Sequence, residues 1–246
     1  MIPYERHELI LDTLKTHDLV KIDELQALMP SVSLSTLRRD LKELEKRGNI
    51  EYLAGGAVKL HEAQHEVNIS IKSTLNSAQK SQIAHRAASE IKDGDVIYID
   101  SGSTCSALFP LLFNRPLTIY TTNASACAKP AGAQANVIVV GGVFNPITSS
   151  FTGPVTEEIL KSLYFDKVFL GCNAIDEERG VMTPGFSEAS KKRLVKSNAQ
   201  MTYVLCDSSK FHGFSNVKVF DLDGIVVISD KFDSKIGERA RILLPE

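Results

Sequence analysis

The 246-residue sequence predicts two domains: an N-terminal winged helix-turn-helix and a C-terminal α/β domain with a largely parallel sheet. Residues 34–44 place leucines at helical spacing, with hydroxyls and cations on the opposite face. A short strand pattern follows on each side of Gly55-Gly56, and from residue 78 helical and strand patterns alternate. We therefore predict a first domain at 1–60, a polar linker at 61–77 and a second domain at 78–246.

The first domain is predicted as three helices and a hairpin. Residues 4–16 and 21–29 carry apolar side chains at helical spacing, and the third helix follows. Ser33 is a favourable N-cap for the third helix, and Gly48 is a favourable C-terminal stop. The apolar runs 50–53 and 57–60 are typical of the paired strands of a wing.

The third helix has the amphipathic pattern of a helix that binds in the DNA major groove. At about 100° per residue, one arc holds Leu34, Leu37, Leu41 and Leu44. Major-groove binding requires apolar anchoring behind and hydrogen-bond donors in front. We predict DNA contacts from Ser35, Thr36, Arg38, Arg39 and Lys42. Arg39 is best placed for a guanine edge, whereas Arg38 lies on the flank, where it would bind a backbone phosphate or a neighbouring acid.

Charge alone does not explain DNA binding by this sequence. The net charge is −2, and the first 60 residues hold nine basic and ten acidic side chains. Affinity must then come from the basic cluster at 38–47 and from pairing of half-sites, so we expect a homo-dimer or homo-tetramer on double-stranded operator DNA.

Membrane and secreted classes are not indicated. The N-terminus lacks a signal-peptide pattern, and no run approaches the ~18 apolar residues of a membrane span. The four cysteines lie far apart without a C-x-x-C motif, which favours small buried hydrophobic residues in a reducing cytosol. We expect a cytoplasmic protein with no membrane partner.

The second domain is predicted to gather polar segments at one sheet edge. Its apolar runs are Val96–Ile99, 117–120, 137–140, 168–170, 203–205 and 225–228, and helical patterns at 104–113, 124–131, 155–163 and 187–199 separate most of them. The carboxyl ends of parallel strands share an edge, and ligands of open α/β sheets bind there.

The ligand predicted at this edge carries a phosphate or is an anionic sugar. Loop hydroxyls and backbone N–H groups can bind phosphate, and a lysine can supply the cation, so the proposed phosphate contacts are Ser101, Gly102, Ser103, Thr104 and Lys210. The proposed sugar contacts are Asp100, Asn123, Gly142, Asn173 and Glu188. Simpler structural explanations remain: a strand-to-helix turn capped by Ser101 or Ser103, a surface lysine at position 210, and at position 188 an acid favoured by the first turn of its helix.

Catalytic and metal motifs are not evident in the sequence. The six histidines are scattered and form no nucleophile-base pattern, and neither an H-E-x-x-H nor a Walker-type loop occurs. We therefore predict no catalytic residue, no metal ligand and no cofactor.

Taken together, these residues resemble the DeoR family (deoxyribose-operon-repressor type) of bacterial transcription factors. The resemblance rests on Thr36-Leu37-Arg38-Arg39-Asp40-Leu41 followed by Leu44 and Gly48, on Asp100-Ser101-Gly102-Ser103-Thr104, on Ser150-Phe151-Thr152-Gly153-Pro154 and on Asp207-Ser208-Ser209-Lys210-Phe211. It implies a repressor of a carbohydrate operon that is controlled by a phosphorylated sugar. Tyr52 stands where the wing usually has an arginine, so the minor-groove or phosphate contact of that arginine is not carried over to this position.

The second half is also similar to ribose-5-phosphate isomerases, which leaves an enzyme as the alternative. That resemblance would make Glu188 the proton carrier and would place Ser209 and Lys210 on the substrate. The isomerases' acid-rich loop corresponds to Gly171-Cys172-Asn173-Ala174, which has no carboxylate, and proton transfer needs positioned acids. A sensor is therefore favoured over an isomerase with an accessory DNA-binding module. A DNA-binding protein that responds to no ligand is a third class.

Overall fold

The computed structural model describes residues 2–17, 19–46, 50–53, 55–60 and 69–245. Its α-helices there are α1 Pro3–Thr16, α2 Ile22–Leu28, α3 Leu34–Lys46, α4 Ile69–Thr74, α5 Ser77–Ser89, α6 Ser103–Ser106, α7 Phe109–Leu112, α8 Pro154–Lys161, α9 Phe186–Ser197 and α10 Ser234–Gly237. Short 3-10 helices lie at Ala124–Ala128 and Ser208–Lys210.

The strands fall into four sheets. They are β1 Val20–Lys21, β2 Ile50–Leu53, β3 Ala57–Leu60, β4 Val96–Ile99, β5 Thr118–Thr121, β6 Asn136–Val139, β7 Val143–Asn145, β8 Ser150–Thr152, β9 Phe165–Gly171, β10 Ala174–Asp176, β11 Gly180–Thr183, β12 Ala199–Leu205, β13 Val217–Phe220, β14 Val226–Ile228 and β15 Arg241–Leu243. The largest sheet has seven strands and belongs to the second domain.

The N-terminal domain is a winged helix-turn-helix, as predicted. Helices α1 to α3 pack around one apolar core, and β1, β3 and β2 form an antiparallel sheet in that order. The N-cap at Ser33 is confirmed, because its hydroxyl accepts a hydrogen bond from the backbone N–H of Thr36 at 3.2 Å. Strand β1 was not predicted, since two residues are too few to show a period. Gly48 lies outside the described residues.

A buried ion pair fixes α3 against α1. The Arg6 guanidinium donates from Nε to Asp40 Oδ2 at 2.6 Å and from Nη2 to Asp40 Oδ1 at 3.0 Å, and both side chains are buried. This two-point geometry sets orientation as well as distance. The pair holds the inner face of α3 in place while its outer face stays free of the core.

The second domain is built on a fully parallel sheet of order β15-β14-β12-β9-β4-β5-β6. All six predicted strands are present, and β15 is a seventh. Apolar clusters cover both faces of the sheet. The chain runs outward from β4 through β5 to β6, and β9 lies on the other side of β4. This reversal of strand order creates a crevice at the carboxyl edge.

Two small antiparallel sheets were not predicted from the sequence. They are β10-β11-β13 and β7-β8. Helix α4 falls in the segment predicted as a polar linker, of which residues 61–68 lie outside the described part of the chain.

The cysteine prediction is only half right. Cys105 and Cys206 are buried, but Cys172 is half-buried and Cys127 is exposed. Within the described residues, no helix is long and apolar enough to cross a membrane.

Candidate functional site

A cavity of about 490 Å³ opens where β4, β9 and β12 end. This volume is in the range of small-molecule sites, about 300–1,000 Å³. Parallel strands bring together segments that are far apart in sequence. The predicted ligand residues that line the cavity are Ser101, Gly102, Ser103, Thr104, Asn173, Glu188 and Lys210.

Three predicted sugar contacts do not line the cavity, and their placement revises that expectation. Asp100 is fully buried behind the loop. Asn123 is also buried, where its amide donates to Ser106 Oγ at 2.9 Å and its carbonyl oxygen accepts from the Ser125 N–H at 2.9 Å. Gly142 has a positive φ of 152°, and a Cβ there would lie 2.0 Å from Thr156 Oγ1, so close packing explains the glycine.

Glu188 is held as a carboxylate on the inner face of α9. Lys191 Nζ lies 3.0 Å from Glu188 Oε2, while Ser150 donates to Oε1 at 2.8 Å and Ser101 to Oε2 at 3.3 Å. Burial raises the pKa of Glu188, but the charges of Lys191 and Lys192 and the hydrogen bonds outweigh it, so that the pKa falls to about 2. Glu188 therefore accepts hydrogen bonds and is a weak base.

Asp100 forms a second buried ion pair with Lys192. The Gly171 N–H also donates to Asp100 Oδ2 at 3.2 Å, which ties the end of β4 to the end of β9. Burial lowers the pKa of Lys192, but the carboxylates of Asp100 and Glu188 raise it by more than burial lowers it, so the ammonium stays charged. Asp100 thus supports the site from behind.

The sequence reasoning missed Lys191 and Lys192 as members of the site. Both are buried, although four basic residues in one helix are more often solvated. The detectable sign was spacing, because Glu188 and Lys191 are three apart and so share one helix face. The pairing of Lys192 with Asp100 spans 92 residues, and local sequence gives no sign of it.

The cavity wall also includes side chains from outside the strand ends. Lys72 and Asn76 come from the segment around α4, and Lys80 from α5. Glu51 and Lys59, from β2 and β3 of the wing, also line the cavity and form an ion pair of 2.9 Å. Lysines outnumber acids around the cavity: Lys59, Lys72, Lys80, Lys192 and Lys210 against Glu51, Glu188 and Asp207.

The outer face of α3 carries the predicted DNA-contacting residues. Ser35, Arg38, Arg39 and Lys42 are exposed, and Thr36 is half-buried. The Ser33 hydroxyl contacts those of Ser35 and Thr36 at 2.9 and 2.8 Å. Leu37, Leu41 and Leu44 are buried on the opposite face. Tyr52 is half-buried and packs against the domain core.

Both domains match family models. Residues 6–63 match the DeoR-like helix-turn-helix domain, and residues 75–231 match the DeoR C-terminal sensor domain. The chain belongs to the DeoR family. This confirms the resemblance, and with it the class of DNA-binding transcriptional regulators.

Curated relatives are similar to the chain over most of its length. It is 35% identical to the "uncharacterized HTH-type transcriptional regulator FruR" of Bacillus subtilis (strain 168), over 86% of this chain and 84% of that protein. It is 34% identical to the lactose phosphotransferase system repressor of Staphylococcus aureus (strain N315), over 73% of each.

The chain is also similar to a solved structure of ribose 5-phosphate isomerase A from Methanocaldococcus jannaschii. The match covers 55% of each chain at 21% identity, with a TM-score of 0.41.

Proposed function

We propose that this DeoR-family regulator represses a carbohydrate operon and responds to a phosphorylated sugar bound in the cavity of its second domain. The observation that carries the proposal is the cavity itself, since a hydroxyl-rich loop and an excess of lysines surround it. Hydroxyls and cations together bind phosphate, and the carboxylate of Glu188 accepts from sugar hydroxyls. The lactose-system repressor supports the repressor role and the carbohydrate link.

In this proposal, the phosphate contacts Ser101, Gly102, Ser103, Thr104 and Lys210, whereas Asn173 and Glu188 contact the sugar. These seven residues line one cavity, which supports their acting together. In this proposal the buried Asp100 and Asn123 support the site from behind, and none of Asp100, Asn123 and Gly142 contacts the ligand.

DNA binding is assigned to the exposed face of α3. Arg39 contacts a guanine edge, and Ser35, Thr36 and Lys42 contact neighbouring bases or phosphates. Arg38 binds a backbone phosphate. The engagement of Asp40 by Arg6 favours that role, because it removes the acid two residues away as a partner for Arg38.

We propose that the protein is not an enzyme. Glu188 stands where the isomerase resemblance would place the proton carrier, and a carboxylate with a pKa of about 2 is a poor base at neutral pH. Asn173 lies in the loop that would need an acid. A coupled ribose-5-phosphate isomerase assay tests this point, and no turnover is expected. Turnover by the wild type that is lost in Glu188→Gln would contradict the proposal and favour an isomerase.

The regulator is proposed to work in the cytoplasm as a homo-dimer or homo-tetramer. One helix-turn-helix unit binds DNA weakly, and two half-sites supply the remaining affinity. Sedimentation of the free protein and of its operator complex tests the assembly, and a monomer in both would contradict it.

Thermal denaturation against a panel of sugar phosphates and their unphosphorylated parents tests the ligand class. A ligand that binds only the folded state adds about 2.7 kcal/mol at a hundredfold excess over Kd. We expect a shift with at least one sugar phosphate and none with its parent. Equal shifts for both, or none across the panel, would contradict a phosphate site.

A further inference from the structure

Residues 69–76, which we name the strap, join the cavity to the chain that leads back to the DNA-binding domain. The strap comprises α4 and the two residues after it. Its residues Ile69, Lys72, Leu75 and Asn76 line the cavity. One short segment is therefore both a wall of the ligand site and the start of the connection to α3.

The strap is fixed to the second domain at each end. At its start, the Ile69 N–H donates to the Ile147 carbonyl at 2.8 Å. At its end, the buried Lys80 ammonium donates to the carbonyls of Lys72 and Leu75, the latter at 2.6 Å. These bonds satisfy carbonyls that α4 leaves without an intrahelical partner.

Asn76 closes the strap in a conformation that few residues adopt. Its φ and ψ are 50° and 37°, the left-handed region that asparagine, aspartate and glycine tolerate best. Its carbonyl accepts from the Lys80 N–H at 3.0 Å, where α5 begins.

The Asn76 amide reaches across the cavity edge to the loop that carries Lys210. It donates to Asp207 Oδ1 at 3.0 Å and to Ser209 Oγ at 3.4 Å. Asp207 is buried, and its carbonyl accepts from the Lys210 N–H at 3.0 Å. A movement of Lys210 toward a phosphate would therefore also move Asp207, the hydrogen-bond partner of Asn76.

We propose that the Asn76–Asp207 hydrogen bond is the latch that relays ligand binding from the Lys210 loop to the strap, and so to the DNA-binding domain. This inference rests on the proposed function and names how that site is coupled to DNA. Asn76 is a positioning residue, because it holds the strap against the loop that carries Lys210. Coupling of this kind requires that the ligand favour one arrangement of the latch over the other.

The test is a reciprocal exchange of donor and acceptor. Asn76→Asp keeps a left-handed-tolerant residue but places a carboxylate against Asp207. In Asn76→Asp/Asp207→Asn the amide returns on the other side, with the net charge of the wild type. Asn76→Gly removes the side-chain amide, but glycine still tolerates the left-handed backbone conformation. A change in the conformation of the strap therefore cannot explain the results of all three variants.

Two quantities are measured for each variant. The first is the operator Kd with ligand divided by the operator Kd without it, and the second is the ligand Kd from calorimetry. The probes are ribose 5-phosphate, fructose 6-phosphate and glucose 6-phosphate, with inorganic phosphate and the parent sugars as controls. We expect a wild-type ratio of about fivefold or more for at least one probe. Because Asn76 lines the cavity, each ratio is measured with the ligand at a hundredfold excess over that variant's own calorimetric Kd. Under these conditions the ratio falls below about twofold in Asn76→Asp and Asn76→Gly, and the double exchange restores it.

The outcomes separate the relay from the site. A wild-type ratio in both single variants, or no recovery in the double exchange, overturns the latch and leaves the ligand site standing. A wild-type protein whose operator affinity responds to none of the probes overturns the proposed function and the latch together.

Discussion

Arg6–Asp40 in the first domain and Lys191–Glu188 in the second are both buried ion pairs, but only the second adjoins a cavity. The first pair lies behind α3 and leaves the outer face of that helix to solvent. The second lies among hydroxyls and lysines that line the cavity of the second domain. The DNA-binding domain thus uses buried charge to orient a helix, whereas the sensor domain uses it to shape a site.

The largest effect is expected from breaking the first pair. Arg6→Ala removes both guanidinium hydrogen bonds to the buried Asp40 carboxylate and leaves it, among the described residues, only the His7 ring, whose Nε2 lies 3.6 Å from Oδ1. The loss should therefore fall at the lower end of the about 3–5 kcal/mol that a broken buried pair costs. Denaturant unfolding should show this loss in the first domain, together with lost operator binding. Arg6→Met/Asp40→Leu is the matched control and should recover much of the stability. A single variant as stable as the wild type would contradict a structural role for the pair.

The next effect concerns the cavity. Lys210→Ala should weaken sugar-phosphate binding by about 1.5–3 kcal/mol, the value of a hydrogen bond to a charged group, while operator binding without ligand stays intact. Calorimetry measures the first and a DNA titration the second. The exposed Lys231→Ala is the control, and an equal effect of both would show that Lys210 acts only through general charge.

The outer face of α3 can be resolved into two kinds of contact. Arg39→Ala should relax base preference by about 1–3 kcal/mol at one operator position. Arg38→Ala should weaken binding to all sequences alike and reduce the salt slope by about 1. Binding of operator variants at several salt concentrations distinguishes them, and an Arg39→Ala protein with unaltered discrimination would refute the base contact.

The outer face of α3 could be predicted from the sequence more completely than the cavity of the second domain. The face of α3 follows from the spacing of Leu37, Leu41 and Leu44 alone, because a helix period is a local property. The sheet followed from its apolar runs for the same reason. The ion pairs of the site did not follow from the sequence, because Lys192 pairs with Asp100 across 92 residues. The predicted contacts Asn123 and Gly142 do not line the cavity and pack against Ser106 and Thr156. Which strand ends meet at the cavity depends on the order of the strands in the sheet, and local sequence does not determine that order.

The smallest effect is expected at His212, at the edge of the second domain. Its ring contacts Asp233 at 2.8 Å and Glu177 at 2.9 Å, and these hydrogen bonds raise its pKa although partial burial opposes the shift. A raised folded pKa means that the stabilisation is complete below about pH 6.5 and is lost as the pH rises through the folded value. Because the ring is 41% exposed, the effect should stay below about 1 kcal/mol.

Unfolding measured from pH 5.5 to 8.5 checks this expectation. His212 has a φ of 54°, so His212→Asn is the suitable variant, since asparagine tolerates that conformation. Stability should vary with pH slightly less in the variant, and an unchanged profile would show that His212 does not titrate in this window.

The central claim is that a phosphorylated sugar in the second domain controls operator binding by the first. A titration of operator DNA at fixed salt, with and without the sugar phosphate that gives the largest thermal shift, tests it most directly. The account predicts a change in operator Kd of about fivefold or more with the phosphate, none with the parent sugar, and a smaller change in Lys210→Ala at the same ligand concentration. Identical operator affinity in the presence and absence of every sugar phosphate that binds would contradict it.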